Sequence, residues 1–321
     1  MEREHSMQNG QPSALAADNA RLRFGTAGVP ASIEGASHLA GLQEVVRLGL
    51  EAMELAFVQQ VKVDPQEIAA IKGLAAAHNI ALSAHAPYFV NLNSADRQVV
   101  GASRQRIVKA AQVAEACGAT RVVFHCGWRH DATADEVYTR VRDQLLRIQE
   151  ELSRKNVAIT LCPETTGKVK QFGDLSEVLR LCQELPGVEP CVDFAHLFAR
   201  HGGAFGPDEF EATVQSISRA LGPAALLRLH IHVSGIEYGR DGEIRHLPLQ
   251  QSALDYSALL ACLLSHNVTG VVICESPTND TDALLLQQAY RQAKAARKGQ
   301  EVKPDGNNGR GHCNAAAGYE G

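Results

Sequence analysis

None of the eight cysteines (Cys117, Cys126, Cys162, Cys182, Cys191, Cys262, Cys274 and Cys313) stands in a Cys-x-x-Cys pair. In a chain of 321 residues this pattern does not read as a disulfide framework. Cys162, Cys191 and Cys274 lie inside apolar strand-like runs, so buried free thiols in a reducing, cytoplasmic compartment are expected. A basic excess is missing too. Lys and Arg number 31 against 36 Asp and Glu, for a net charge of −5. No global field advertises nucleic acid, although a local basic patch stays open. No apolar run is long enough to span a membrane. Met1 to Ala20 is polar, carries acidic residues and has no continuous apolar core, so it is not read as a signal peptide.

What is present is ordinary for a soluble globular protein: 45% hydrophobic and 21% charged residues. The length allows one large domain or two small ones. Residues 1–20 read as a disordered lead-in. Leu22 to Gly25 reads as a strand running into the turn Gly25-Thr-Ala-Gly28. A helix is expected from Gly35 to Leu50, with Leu39, Leu42, Val45, Val46 and Leu50 at helical spacing. Ala52 to Val58 is a second strand. Asp64-Pro65 opens the next helix as N-cap and first turn. Ile80 to Ala84 is strand three, and Ser94 caps a long helix to Cys117.

The alternation continues. Strands are expected at 121–124, 157–161, 190–192, 226–233 and 270–274. Helices are expected at 133–155, 174–184, 207–221, 253–266 and 280–296, with a longer loop at 234–251. The strands are short, apolar and β-branched, as they are when both faces are covered. Strict alternation implies a parallel sheet with right-handed crossovers. Eight such units predict a single (β/α)8 TIM barrel over residues 21–297, with a doubly wound sheet as the other reading. Residues 298–321 turn Gly-, Asn- and Lys-rich and read as a disordered tail.

Six of the apolar runs end in His85, His125, Glu164, Asp193, His232 and Glu275. In a barrel, strand C-termini surround one pocket, which is where active sites lie. Imidazole and carboxylate together suit zinc, manganese or iron. Two such ions about 3.5–4 Å apart activate water and stabilise charge on a phosphoryl group. Sugar isomerases also place metals at a barrel mouth.

The motifs His85-Ala-Pro-Tyr88, Asn91-Leu92, Phe124-His125-Cys-Gly127, Glu164-Thr-Thr-Gly167 and Cys191-Val-Asp193-Phe-Ala-His196-Leu-Phe198 occur in order, followed by Glu275. This resembles the endonuclease IV family of apurinic/apyrimidinic endonucleases, from strand three to strand eight. The resemblance implies a zinc enzyme that cleaves DNA at abasic sites through a metal-bound hydroxide. His85, His125 and Glu164 would hold the first zinc. Glu164 would bridge to the second, completed by Asp193, His232 and Glu275. Glu164 and Glu275 would thereby carry catalysis. His196 and His246 would belong to a third zinc, and Tyr88 would meet the gap left by the abasic nucleotide.

The sequence departs from that family at two places after strand seven: the family's Asn-Asp pair soon after the strand-seven His is replaced by Val233-Ser234-Gly235-Ile236, and the third-zinc loop differs. The family's third-zinc loop carries Asp-x-His, and here it reads Ile244-Arg245-His246. Two tightly held metals are therefore expected, with a third that is weak, absent or ligated by Asp241 or Glu243 folded inward. The other functional readings are a metal-dependent isomerase or epimerase acting on a small sugar, and a relative that binds damaged DNA without cutting it. Among nearby residues, His230 reads as a hydrogen-bonded core histidine. Glu54 either lines the pocket or is solvated. Trp128 could stack on a base, and Lys168 and Lys170 could meet phosphates, or all three are ordinary loop residues.

Overall fold

The computed structural model describes residues 21–301; the lead-in expected at 1–20, and the expected 298–321 tail from residue 302 on, with Cys313, lie outside the described residues, while 298–301 continue the last helix. Eight parallel strands follow one another in the expected places. They are β1 (Leu22–Ala27), β2 (Ala52–Ala56), β3 (Ala81–His85), β4 (Arg121–Phe124), β5 (Thr160–Pro163), β6 (Cys191–Asp193), β7 (Leu229–Val233) and β10 (Gly270–Cys274). Their order in the sheet is β5-β4-β3-β2-β1-β10-β7-β6. Parallel bridges Leu161 to Val188 and Glu164 to Cys191 join the two ends. The Thr165 amide donates to the Cys191 carbonyl at 3.0 Å across the same seam. The result is a single-domain barrel with helices outside. Among the described residues, no helix is long and apolar enough to cross a membrane.

Local chemistry explains the elements and moves several expected boundaries. The first helix is His38–Arg47, capped by Ser37, whose hydroxyl accepts from the Ala40 amide. Asp64 does not cap the next helix. Its side chain accepts from the Gln66 amide in a preceding turn, and the helix is Ile68–Ala77. Ser94 is likewise displaced as a cap by Asp96, which accepts from the Gln98 amide at 2.7 Å. Helix 134–154 has a full capping box from Thr133 and Glu136. The last helix, Asn279–Glu301, runs past Ala296.

Two elements were not expected. Asp193 ends β6 and is at once the cap of a short helix, Phe194–Arg200. The stretch read as a loop after β7 contains an antiparallel hairpin, β8 (Gly235–Gly239) and β9 (Gly242–Leu247). The described cysteines are free, and Cys162, Cys191 and Cys274 are buried, as expected.

Gly25 lies within β1, where the sequence suggested a turn. A Cβ there would fall 1.8 Å from the Ala52 carbonyl oxygen, so β1 and β2 can pair this closely only around a glycine. Gly73, on an outer helix, has nothing within 4 Å of such a Cβ. Gly25→Ala should therefore lose at least about 1–3 kcal/mol in urea unfolding, through overpacking against backbone that cannot yield. Gly73→Ala should be neutral or stabilising by up to ~1 kcal/mol. Equal effects of the two substitutions would contradict this packing.

Candidate metal centre at the barrel mouth

All six strand-end residues converge, and Glu164 is their centre. Its Oε2 lies 2.9 Å from His85 Nε2 and 2.9 Å from His125 Nε2. Its Oε1 lies 3.1 Å from His196 Nδ1 and 3.3 Å from His232 Nδ1. One buried carboxylate thus faces a different pair of histidines with each oxygen. His232 Nδ1 is also 3.3 Å from Glu275 Oε1. Three overlapping groups have their ligand atoms within 4.8 Å of one another. They are His85, His125 and Glu164; Glu164, Asp193, His232 and Glu275; and Asp193, His196, His246 and Glu275.

Asp193 combines two roles. Oδ1 caps the short helix by accepting the His196 amide at 2.6 Å. Oδ2 is buried with no aligned hydrogen bond; its neighbour is His196 Nδ1 at 3.5 Å, which Glu164 holds more closely at 3.1 Å. An orphaned carboxylate oxygen among imidazoles and other carboxylates costs free energy unless a cation or proton compensates it. That orphan, and a donor set made only of nitrogen and oxygen, fit divalent ions of the zinc, manganese or iron kind.

The third group is completed by a residue whose spacing hid it. His196 Nε2 is 3.2 Å from His246 Nε2 and 3.6 Å from Glu243 Oε2. Pairing runs Glu237 to Arg245 but Tyr238 to Glu243, so Ile244 is the extra residue of a β-bulge. A bulge shifts the in–out alternation by one. Glu243 and His246 therefore face the mouth together, while Ile244 is exposed. Close docking of the hairpin depends on Gly167, where a Cβ would meet Glu243 Cβ at 2.6 Å. The Glu243 amide donates to the Gly167 carbonyl at 3.1 Å. Asp241, the other carboxylate considered, points away and sits 3.9 Å from Lys170 in solvent.

Glu54 is not solvated. It lines the floor of the mouth cavity, fully buried against Ser83, His230 and His232. His230 is the hydrogen-bonded core histidine expected.

Charges in the cluster are tightly linked. Burial alone would raise the Glu164 and Glu54 carboxyls, but the facing histidines hold both well below the usual range. Burial wins at Asp193, which is pushed up despite His196 beside it. Burial favours neutral His85, yet the hydrogen bond and charge of Glu164, with Glu54 and Glu275 behind, lift it from 6.5 to about 9. His196 and His232 are raised in the same way against burial, by Asp193 and Glu164 at His196, and by Cys191, Glu275, Glu54 and Glu164 at His232.

Above the cluster is an open cavity of about 290 Å³ that Tyr88 lines. Tyr88 is 63% exposed and packs edge-on against Phe89. Lys168 Nζ sits 5.9 Å over the Trp128 ring on one side of the mouth. On the other, Arg106 lies 4.4 Å over the Phe89 ring.

A parallel barrel with a His/Glu/Asp cluster at its C-terminal mouth defines a class, the xylose isomerase-like TIM barrels, and that family's model matches residues 42–302. The chain belongs to this family and, within it, is a divergent member of the endonuclease IV group. It is 30% identical over 261 residues to a probable endonuclease 4 of Symbiobacterium thermophilum, covering 76% of this chain and 90% of the relative. It is 41% identical over 272 residues to an uncharacterized protein of Methanocaldococcus jannaschii, covering 84% and 97%. The fold matches endonuclease IV from Thermus thermophilus with a TM-score of 0.63 at 19% identity, over 85% of this chain and 99% of that one. It matches a D-tagatose 3-epimerase-like protein with a TM-score of 0.66 at 17% identity, over 86% and 100%.

The electrostatics make a prediction for protein stripped with a chelator. His85 binds its proton more tightly folded than unfolded, so its contribution is complete below pH 6.5 and lost as pH rises through about 9. Urea unfolding of stripped protein should show lower stability at pH 9 than at pH 6.5. In Glu164→Gln that fall should shrink, because the carboxylate that lifts His85 is gone. An identical fall in both proteins would count against Glu164 as the charge that organises the site.

Proposed function

We propose that this chain is a metal-dependent phosphodiesterase that cleaves DNA at abasic sites. The observation that carries the reading is the division of Glu164, one oxygen toward His85 and His125 and the other toward His232. A carboxylate so placed would serve two ions at once. In this reading His85, His125 and Glu164 hold one zinc-like ion, and Glu164, Asp193, His232 and Glu275 a second. His196 and His246, with Glu243 in place of the Asp that Ile244 displaces, hold a third. Bound ions of this kind supply an activated water and stabilise charge on a phosphoryl group. The protein's part is to fix the geometry. Asp193 is pinned by the helix it caps, and His246 Nδ1 is anchored at 3.0 Å on the Glu275 carbonyl.

The rim supports a polymeric substrate. Tyr88 and Phe89 stand at the mouth as exposed aromatic faces. Lys168 and Lys170 flank one side, and a groove with Lys62, Arg106 and Lys109 flanks the other. Cations bracketing aromatic surfaces suit a phosphate backbone and an unstacked base. The position of Tyr88 suits the space an abasic nucleotide leaves. A sugar epimerase is the second reading, favoured by the four-residue group Glu164, Asp193, His232 and Glu275, which can hold one ion without His85 or His125.

A duplex with one abasic site, incubated with zinc-loaded or manganese-loaded protein, should be nicked, and chelator should stop it. Glu164→Ala should lower the rate roughly a thousandfold, a loss of several kcal/mol of ion-derived stabilisation. Glu243→Gln should lower it about tenfold or more, through weaker hold on the third ion. Binding without nicking would favour the non-cleaving reading. Turnover of a small ketose without nicking would favour the epimerase.

A further inference from the structure

At the floor of the mouth cavity, Glu54 of β2 is a fully buried carboxylate. Its Oε2 lies 2.9 Å from Ser83 Oγ and 2.9 Å from His230 Nε2. Its Oε1 has no aligned hydrogen bond, and the group it faces is His232 Nε2, at 3.2 Å. His230 in turn lies 3.3 Å from His232, Nε2 to Nε2. Burial of a carboxylate at such a place is costly unless each oxygen meets a donor.

The donor assignment follows from what each group can do. An ionised carboxylate only accepts. The Ser83 hydroxyl and the His230 Nε2–H therefore donate to Oε2. His230 Nε2, having spent its proton on Glu54, cannot accept from His232. The His232 Nε2–H is left with Oε1 as its acceptor. In the metal-free site His232 Nδ1 also carries a proton toward Glu164 Oε1; a metal would displace that proton, and the neutral ring would keep its single N–H on Nε2 and offer the lone pair of Nδ1. That nitrogen faces the mouth, 3.3 Å from both Glu164 Oε1 and Glu275 Oε1. His230 Nδ1 is buried without a partner, as an unused acceptor nitrogen would be.

We infer that Glu54, steadied by Ser83 and His230, is a positioning residue that fixes the tautomer and ring orientation of His232, so that Nδ1 is the atom offered to a metal. The inference rests on the metal reading of the mouth. An outer carboxylate behind a ligating histidine has this effect generally, and its loss costs about 10–100-fold in metal affinity. Ser83 and His230 act on Glu54; neither faces the mouth.

The test compares zinc affinity of the full chain by chelator competition for wild type, Glu54→Gln, Glu54→Asp and His230→Gln, with folding checked by circular dichroism. Glu54→Gln keeps the shape but turns one acceptor into a donor. It should weaken the zinc that His232 serves by about 10–100-fold, and Glu54→Asp should recover part of this. Heteronuclear NMR of the imidazoles in zinc-loaded wild type should place the His232 proton on Nε2 and the metal on Nδ1. In Glu54→Gln that signature should be lost or mixed, a change that mere loss of stability would not produce. Should Glu54→Gln fail to fold, His230→Gln and the wild-type NMR signature carry the test. Equal zinc affinity in wild type, Glu54→Gln and His230→Gln, with His232 unchanged, would overturn this inference and leave the metal reading standing. Wild type that takes up no zinc would overturn both. Cobalt loading adds a further outcome. A thiolate-to-cobalt band that Cys191→Ser abolishes would mean that Cys191, His230 and His232 take the ion themselves, and would overturn the positioning role.

Discussion

The mouth of this barrel depends on one carboxylate shared among four imidazoles. Glu164 stands at the seam where the barrel closes, next to the bridge that joins β5 to β6. Its two oxygens reach histidines from β3, the β4 end, β7 and the short helix after β6. Those elements come from most of the chain's length. Closure of the sheet and assembly of the site are therefore one event, and an error in either would leave buried charge without a counter-charge.

The hairpin and the short helix finish what the strands begin. Asp193 stops β6, starts the helix and leaves one oxygen free for the mouth. The hairpin rests on the backbone of 167–169, with Val169 donating to the Asp241 carbonyl at 3.2 Å. Its bulge turns Glu243 inward next to His196 and His246. On the proposed function, the divergence at Ile244 is a change of which residue supplies the carboxylate, and the number of carboxylates facing the third group is kept.

Most of the barrel is legible because its strands are short apolar runs separated by helical periodicity, and because each run ends in a distinctive polar residue. His85, His125, Glu164, Asp193, His232 and Glu275 can be named from that pattern alone. The hairpin is not legible, since Glu237, Arg240, Asp241, Glu243 and Arg245 break any apolar alternation. Spacing argues against Glu243 only because it presumes a regular strand, and a bulge is a tertiary event. Helix 194–200 is masked by its own ligand motif. The burial of Glu54 has no local signal, because its partners Ser83 and His230 lie 29 and 176 residues away. The cap at Asp96 escapes notice for a smaller reason, as Ser94 two residues earlier is an equally good capping residue.

The central claim is that Glu164 serves two ions. Crystals grown with zinc and measured at the zinc absorption edge test it without reference to any substrate. The account predicts one anomalous peak among His85, His125 and Glu164, and another among Glu164, Asp193, His232 and Glu275. A third peak belongs beside His196, Glu243 and His246. A single peak held by Glu164, Asp193, His232 and Glu275, with His85 and His125 free of metal, would contradict it.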